Sequence, residues 1–214
     1  MTQKQCIVLI GAQHVGKTTL GKGLAEKLGV PFFDTDQMVT KTYGKHITVF
    51  SYERGSEGYN WAETEVSKTL VARFRGAKPI AAVIATGSGF HHDDTGIAEL
   101  RKIGTFYWID GDLELGAKRI LNEATTKESE KIPYLMTYGK FSNLYSYAVR
   151  DKVETLEDLR KSYMKVSVPS REQYAKIADV TVKPQDAPKE ENIELLYNSI
   201  PLKSKLKQQK NREA

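Results

Sequence analysis

The chain has 214 residues, of which 40% are hydrophobic and 28% charged, with one cysteine and a net charge of +5. This is the length of one domain with a real core, and the composition excludes collagen-like, disordered and disulfide-framed classes. The tail "KSKLKQQKNREA" (203–214) holds five Lys/Arg against one Glu, so the body is nearly neutral and does not suggest a nucleic-acid surface.

In chain order, the apolar run Cys6–Ile10 predicts a buried strand with Cys6 as a small hydrophobe within it. It is too short for a secretory leader, and no run approaches the ~18 apolar residues of a membrane span. With a single thiol, these features predict a soluble cytoplasmic protein that binds neither membrane nor nucleic acid, a monomer by default.

"GAQHVGKT" follows at once and matches G-x-x-x-x-G-K-[ST] at Gly11, Gly16, Lys17 and Thr18. Glycines let the backbone curl so that the amides of the loop, His14 and Val15 included, point at an anion. The next helix, starting near Thr19, adds its positive end. Lys17 can reach the β- and γ-phosphates of ATP, and the Thr18 hydroxyl is placed to coordinate Mg²⁺. Leu20, Leu24 and Leu28 give that helix its apolar stripe, Gly29 caps it, and Pro31 prevents continuation.

The run 31–33 predicts a second strand, with Asp34 and Asp36 where it yields to a helix. Two residues apart in extended chain, both carboxylates can face one cleft at the carboxyl edge of the sheet. One can hold a metal-bound water while the other orients an acceptor hydroxyl; equally, Asp36 can simply cap the helix. Further on, 61–76 predicts a long helix, 80–85 a strand, 105–109 a strand, 112–124 a helix and 178–182 a last strand. The residues 183–192 read as a turn-rich connection to a short final helix, 193–200, and the tail as disordered. Strands alternating with helices mean an α/β fold with a mostly parallel sheet covered on both faces.

The interval 122–170 is charged, has tyrosines at 134, 138, 145 and 147, and shows helical period without strand signals. It predicts a helical excursion that either moves as a lid or packs permanently. His91-His92-Asp93-Asp94 has no companion cluster to complete a transition-metal site.

The stretch "GAQHVGKTTLGKGLAEKLGVPFFDTD" resembles the phosphate loop, first helix and D-T-D strand end of the shikimate kinase family. The likeness continues at Gly55, Tyr59 and Glu63, at "ATGSG" (85–89) and at "SREQYAKIADVTV". It implies a three-layer P-loop kinase fold, with a substrate region at 34–63 and a lid at 122–170 in one domain, 1–202. The implied activity is ATP-dependent phosphorylation of shikimate, a small-molecule acceptor, to shikimate 3-phosphate.

On this resemblance, Lys17 and Thr18 hold the phosphates and Mg²⁺, and Asp34 holds a magnesium-bound water. Asp36 binds the acceptor hydroxyl and serves as base. Gly87 and Gly89 line the acceptor site through their backbone, and Arg171 pairs with the acceptor's carboxylate or the transferred phosphate. Arg119 lies against the adenine, with the loop near Pro188 on its other side.

Three departures fall on the acceptor side. Asn60 stands where the family carries a carboxylate-gripping arginine, and Ile132 stands before Pro133 where the lid has another, with Lys131 one place earlier as a substitute charge. The lid interval is also some two dozen residues longer than the family's. These leave a different polyol or sugar-acid acceptor, or a non-catalytic nucleotide-binding regulator, as alternatives.

Overall fold

The computed structural model describes residues 4–78, 80–126, 151 and 153–201. Five strands, β1 (Cys6–Ile10), β2 (Phe32–Asp34), β3 (Ala82–Ala85), β4 (Gly104–Ile109) and β5 (Val180–Val182), form a parallel sheet in the order β2-β3-β1-β4-β5. β1 is central: Val8 pairs with Ile84 on one side and Phe106 on the other. All five of its residues are buried, which is why it reads as a continuous apolar run instead of an alternating one. Each large aliphatic side chain buried there contributes roughly 1.5–3 kcal/mol by its removal from water.

Seven helices are described: α1 (Lys17–Leu28), α2 (Thr35–Tyr43), α3 (Ile47–Phe74), α4 (Asp94–Arg101), α5 (Leu113–Thr126), α6 (Leu156–Ile177) and α7 (Lys189–Asn198). The chain leaves β1 toward β2 on one flank, then crosses from β3 to β4 on the other. The order therefore reverses at β1, and the crevice at its carboxyl end is where such sheets bind ligands. The segments after all five strands gather at that edge.

Two helices begin earlier than their sequence signals. The long helix starts at Ile47, not near Trp61, because Gly55 (φ 67°) breaks it without ending it and swings the first two turns over the crevice. The final helix starts at Lys189, since Pro188 serves as its N-cap and Glu190 and Glu191 favour the positive end.

The described ends of the interval 122–170 belong to two helices. Its first residues end α5 and its last fifteen belong to α6, where Leu159 and Tyr163 are 0% and 1% exposed. These two helices pack on one another, and α6 packs on β4. Residues 127–150 and 152, with Lys131, Ile132, Pro133 and the four tyrosines named above, lie outside the described residues, as does the tail from 202. No described helix is long and apolar enough to cross a membrane.

Candidate active site

Gly11 leaves β1 at φ +145°, where a β-carbon would come 2.7 Å from the Ile109 carbonyl oxygen; only glycine fits so close to β4. The loop then wraps Lys17, which is 9% exposed and whose Nζ donates to the carbonyl oxygens of Gly11 and Ala12, both at 2.7 Å. Burial lowers its pKa to about 8, opposed by the carboxylates of Asp36, Asp34 and Glu63.

The Thr18 hydroxyl donates to Asp34 Oδ2 at 2.9 Å, and Asp34 Oδ1 accepts from the Gln37 amide. The helix cap is thus Asp34, which leaves Asp36 available to the cleft. Thr18 and Asp34 supply adjacent hard oxygen donors beside the phosphate loop, a donor set that fits Mg²⁺.

Two cavities open on this edge. The first, about 720 Å³, is lined by His14 to Leu20 of the loop and α1, by Asp34, by Lys118 and Arg119 of α5, and by 184–187. The second, about 850 Å³, lies under the first turns of α3 and against α6, with Tyr59, Asn60, Gly89 and His92 in its wall. Among the described residues, only Gln13, Asp36 and Ser88 line both.

Asp36 sits at this seam, and the Tyr59 hydroxyl donates to its Oδ1. Burial raises its pKa; the Tyr59 hydrogen bond opposes this, the Asp34 charge adds to it, and Lys17 lowers it.

Behind Asp36 lies a second carboxyl. Glu63 is 0% exposed, and its Oε1 accepts from the Thr35 hydroxyl at 2.5 Å and the Gly87 amide at 2.8 Å. Its Oε2 is buried without a donor among the described residues. Burial first, then the Asp36 charge, push its pKa up to about 8, so the neutral acid prevails at pH 7.

This carries a stability prediction. In the unfolded chain Glu63 titrates near its ordinary 4.5. Its contribution is full below that value and is lost as pH rises toward 8, because folding then requires protonation. Glu63→Gln mimics the neutral acid and should flatten the loss. Thermal denaturation should show the variant ahead of the parent at pH 8.5, by on the order of a few kcal/mol, and no better at pH 5. Parallel pH dependence in the two proteins would show that Glu63 is ionised in the fold.

Gly89 lines the second cavity, but Gly87 does not. A β-carbon at Gly87 would lie 2.4 Å from the Tyr59 hydroxyl oxygen and 2.6 Å from Asp36 Oδ1, so its role is to let those groups close in. Asn60 Nδ2 donates weakly to the His92 carbonyl at 3.4 Å.

Arg171 lines neither cavity. Its Nη2 is 2.6 Å from Oδ1 of Asp110, whose side chain is 4% exposed and demands a counter-charge at the end of β4. Arg119 donates to the His14 carbonyl at 2.8 Å, and Pro188 caps α7 while its neighbours Ala187 and Lys189 line the first cavity.

Asp93 caps α4, taking the Gly96 amide at 2.8 Å and the Thr64 hydroxyl. No described group of three or more His, Cys, Asp or Glu could hold a metal ion. His91 is pushed down to about 4, first by burial and then by His92, and its Nδ1 faces the Ser88 carbonyl at 3.1 Å.

A family model described as shikimate kinase matches residues 13–201. The chain belongs to the shikimate kinase family. Shikimate kinase of Persephonella marina is 37% identical over 108 residues, covering 50% of this chain and 62% of that protein. Chloroplastic shikimate kinase 3 of Oryza sativa subsp. japonica is 32% identical over 166 residues, covering 72% of this chain and 55% of that protein. The matched regions thus span about three fifths of those relatives or less.

Among solved structures, shikimate kinase from Acinetobacter baumannii in complex with shikimate superposes with TM-score 0.65 at 24% identity, over 94% of this chain and 97% of that one. The Aquifex aeolicus shikimate kinase gives 0.58 at 26%, over 91% and 95%. The parallel five-stranded fold is therefore the P-loop kinase fold of that family.

Proposed function

We propose that this chain transfers the γ-phosphoryl group of ATP to a ring hydroxyl of shikimate. The observation that carries the reading is the seam: among the described residues, the one carboxylate lining both the phosphate-loop cavity and its neighbour is Asp36. A binding module would need the first cavity alone. Membership of the family makes shikimate the leading acceptor.

In this reading the loop amides and Lys17 hold and neutralise the phosphates, and negative charge developing on the phosphoryl oxygens is met by a buried ammonium. Thr18 and Asp34 would hold Mg²⁺, which when bound would supply charge neutralisation at the phosphates. Asp36 accepts the acceptor hydroxyl's proton, with Tyr59 holding the carboxylate in place. Val15, Gly16 and Thr19 belong to the phosphate cradle, and Arg119 and the 184–188 segment flank the base.

Carboxylate recognition is the altered part. No described lysine or arginine lines the acceptor-side cavity, where Asn60 and the imidazoles of His46 and His92 stand. Arg171 reaches the acceptor in this proposal by exchanging Asp110 for its carboxylate, which leaves Lys183, 3.9 Å from Asp110, to hold that charge.

A panel of shikimate, its carboxamide, quinate, gluconate and a hexose at fixed Mg·ATP tests the assignment. Shikimate should give the highest kcat/KM. It should lead its own carboxamide by roughly tenfold, less than a bidentate arginine would provide. A higher kcat/KM for gluconate or the hexose would reassign the acceptor.

A further inference from the structure

Helix α6 carries a line of polar-tipped residues along a buried face. Tyr163, Ser167, Ser170 and Tyr174 stand at i, i+4, i+7 and i+11, and none is more than 6% exposed. The two tyrosines, eleven residues apart and so about 16 Å along the axis, end this line.

Each reaches a different loop. The Tyr163 hydroxyl donates to the Gln13 carbonyl at 3.0 Å, and the Tyr174 hydroxyl donates to the Ser88 carbonyl at 2.5 Å. Gln13 and Ser88 are the two residues that share the seam with Asp36.

A phosphate loop can turn its amides inward only if its carbonyls turn outward, and buried carbonyls need donors. Gly11 and Ala12 take Lys17, His14 takes Arg119, and Gln13 takes Tyr163. Lys17 must leave its two carbonyls to meet phosphate; Tyr163 need not move.

Both rings are fixed from behind. α5 approaches Tyr163 at Gly116, where a β-carbon would lie 2.4 Å from the hydroxyl oxygen. Tyr174 packs edge-on to His91 at 4.7 Å between centroids and tilted against Trp108 at 6.3 Å.

We propose that Tyr163 and Tyr174 are positioning residues. Through α6 they hold the phosphate loop and the 86–89 turn at a fixed separation, so that donor phosphate and acceptor hydroxyl meet at Asp36. The proposal rests on the kinase reading above for its acceptor half; its nucleotide half stands on the phosphate loop alone.

Because the hydroxyls act at opposite ends of the strut, their effects should separate. Tyr163→Phe and Tyr174→Phe keep the rings and delete the buried hydroxyl that reaches each loop, a change read as about three- to tenfold. Calorimetry should show Mg·ATP binding weakened by that factor in Tyr163→Phe, with the KM for shikimate within about twofold of the parent. Tyr174→Phe should show the reverse, and both should lower kcat.

Should Tyr163→Phe fail to fold, Gly116→Ala displaces the same hydroxyl and should weaken Mg·ATP in its place. Unchanged binding and kcat in both tyrosine variants would overturn the proposal. So would equal loss of both ligands in step with a lowered Tm, which marks mere structural support. If the parent phosphorylates no shikimate, the kinase reading falls; the nucleotide arm then decides the strut alone, weakened binding supporting it and unchanged binding overturning it.

Discussion

Replacing Lys17 with alanine is expected to lower turnover by about 10³-fold or more and to remove measurable Mg·ATP binding at millimolar nucleotide. The ammonium is the one buried cation of the phosphate loop, where charge developing on phosphoryl oxygens is poorly screened. In the unliganded loop its Nζ also donates to the Gly11 and Ala12 carbonyls at 2.7 Å, so its loss leaves both without that donor, a cost to stability and not to nucleotide binding. The side chain is buried beside Asp36 and Asp34, whose charges act on it. Removing it leaves carboxylates facing each other, so the variant should also lose thermal stability. Isothermal calorimetry and a coupled ADP assay read the two losses. Mg·ATP affinity close to that of the parent would show that the backbone nest carries phosphate binding by itself.

Asp36→Asn should behave differently. Mg·ATP affinity should stay within a few fold of the parent, while kcat falls by about 10²–10³. Asn keeps the shape and still accepts from Tyr59 through its carbonyl, so the acceptor-side wall is preserved. What it cannot do is take the acceptor's proton. Asp34 cannot substitute, because one of its oxygens accepts from Thr18 and the other caps α2. An unchanged kcat would assign Asp36 to acceptor binding alone. A collapse of nucleotide affinity would instead place it on the donor side of the seam.

Much of the donor half was legible in the sequence because its signals are local. The run Cys6–Ile10 is β1 residue for residue, and Gly11, Gly16, Lys17 and Thr18 announce the loop with their spacing alone. The three central strands, β1, β3 and β4, were visible as apolar runs since a parallel sheet buries both faces there, whereas the edge strands β2 and β5 are three residues each and partly exposed. Asp34 and Asp36 could be located but not ranked, because capping and catalysis ask for the same side chain at the same place. The structure separates them through the Gln37 amide, which Asp34 takes.

What stayed hidden depends on distant partners. Arg171 read as an acceptor ligand with no sign of Asp110, sixty-one positions earlier, which pairs with it in this structure and which the proposal requires it to exchange for the acceptor. No local pattern marks a buried carboxylate at a strand end as needing a counter-charge. Glu63 was visible at its spacing, but its proton follows from enclosure by Thr35, Gly87 and Asp36. Tyr163 falls in a stretch that reads as an ordinary charged helix, and Tyr174 stood out only as the tyrosine of "SREQYAKIADVTV", with no contact attached to it. The i, i+4, i+7, i+11 line of Tyr and Ser was the available signal, and it has meaning only once Gln13 and Ser88 are seen at its ends. The first turns of α3 were missed because Gly55 interrupts the helical period.

Rapid mixing of the shikimate-loaded protein with Mg·[γ-³²P]ATP tests the central claim most directly. The account predicts that label moves to a shikimate phosphomonoester within a turnover, with little released as inorganic phosphate. Label that remains in ATP, or that is released as inorganic phosphate equally with and without shikimate, would contradict it.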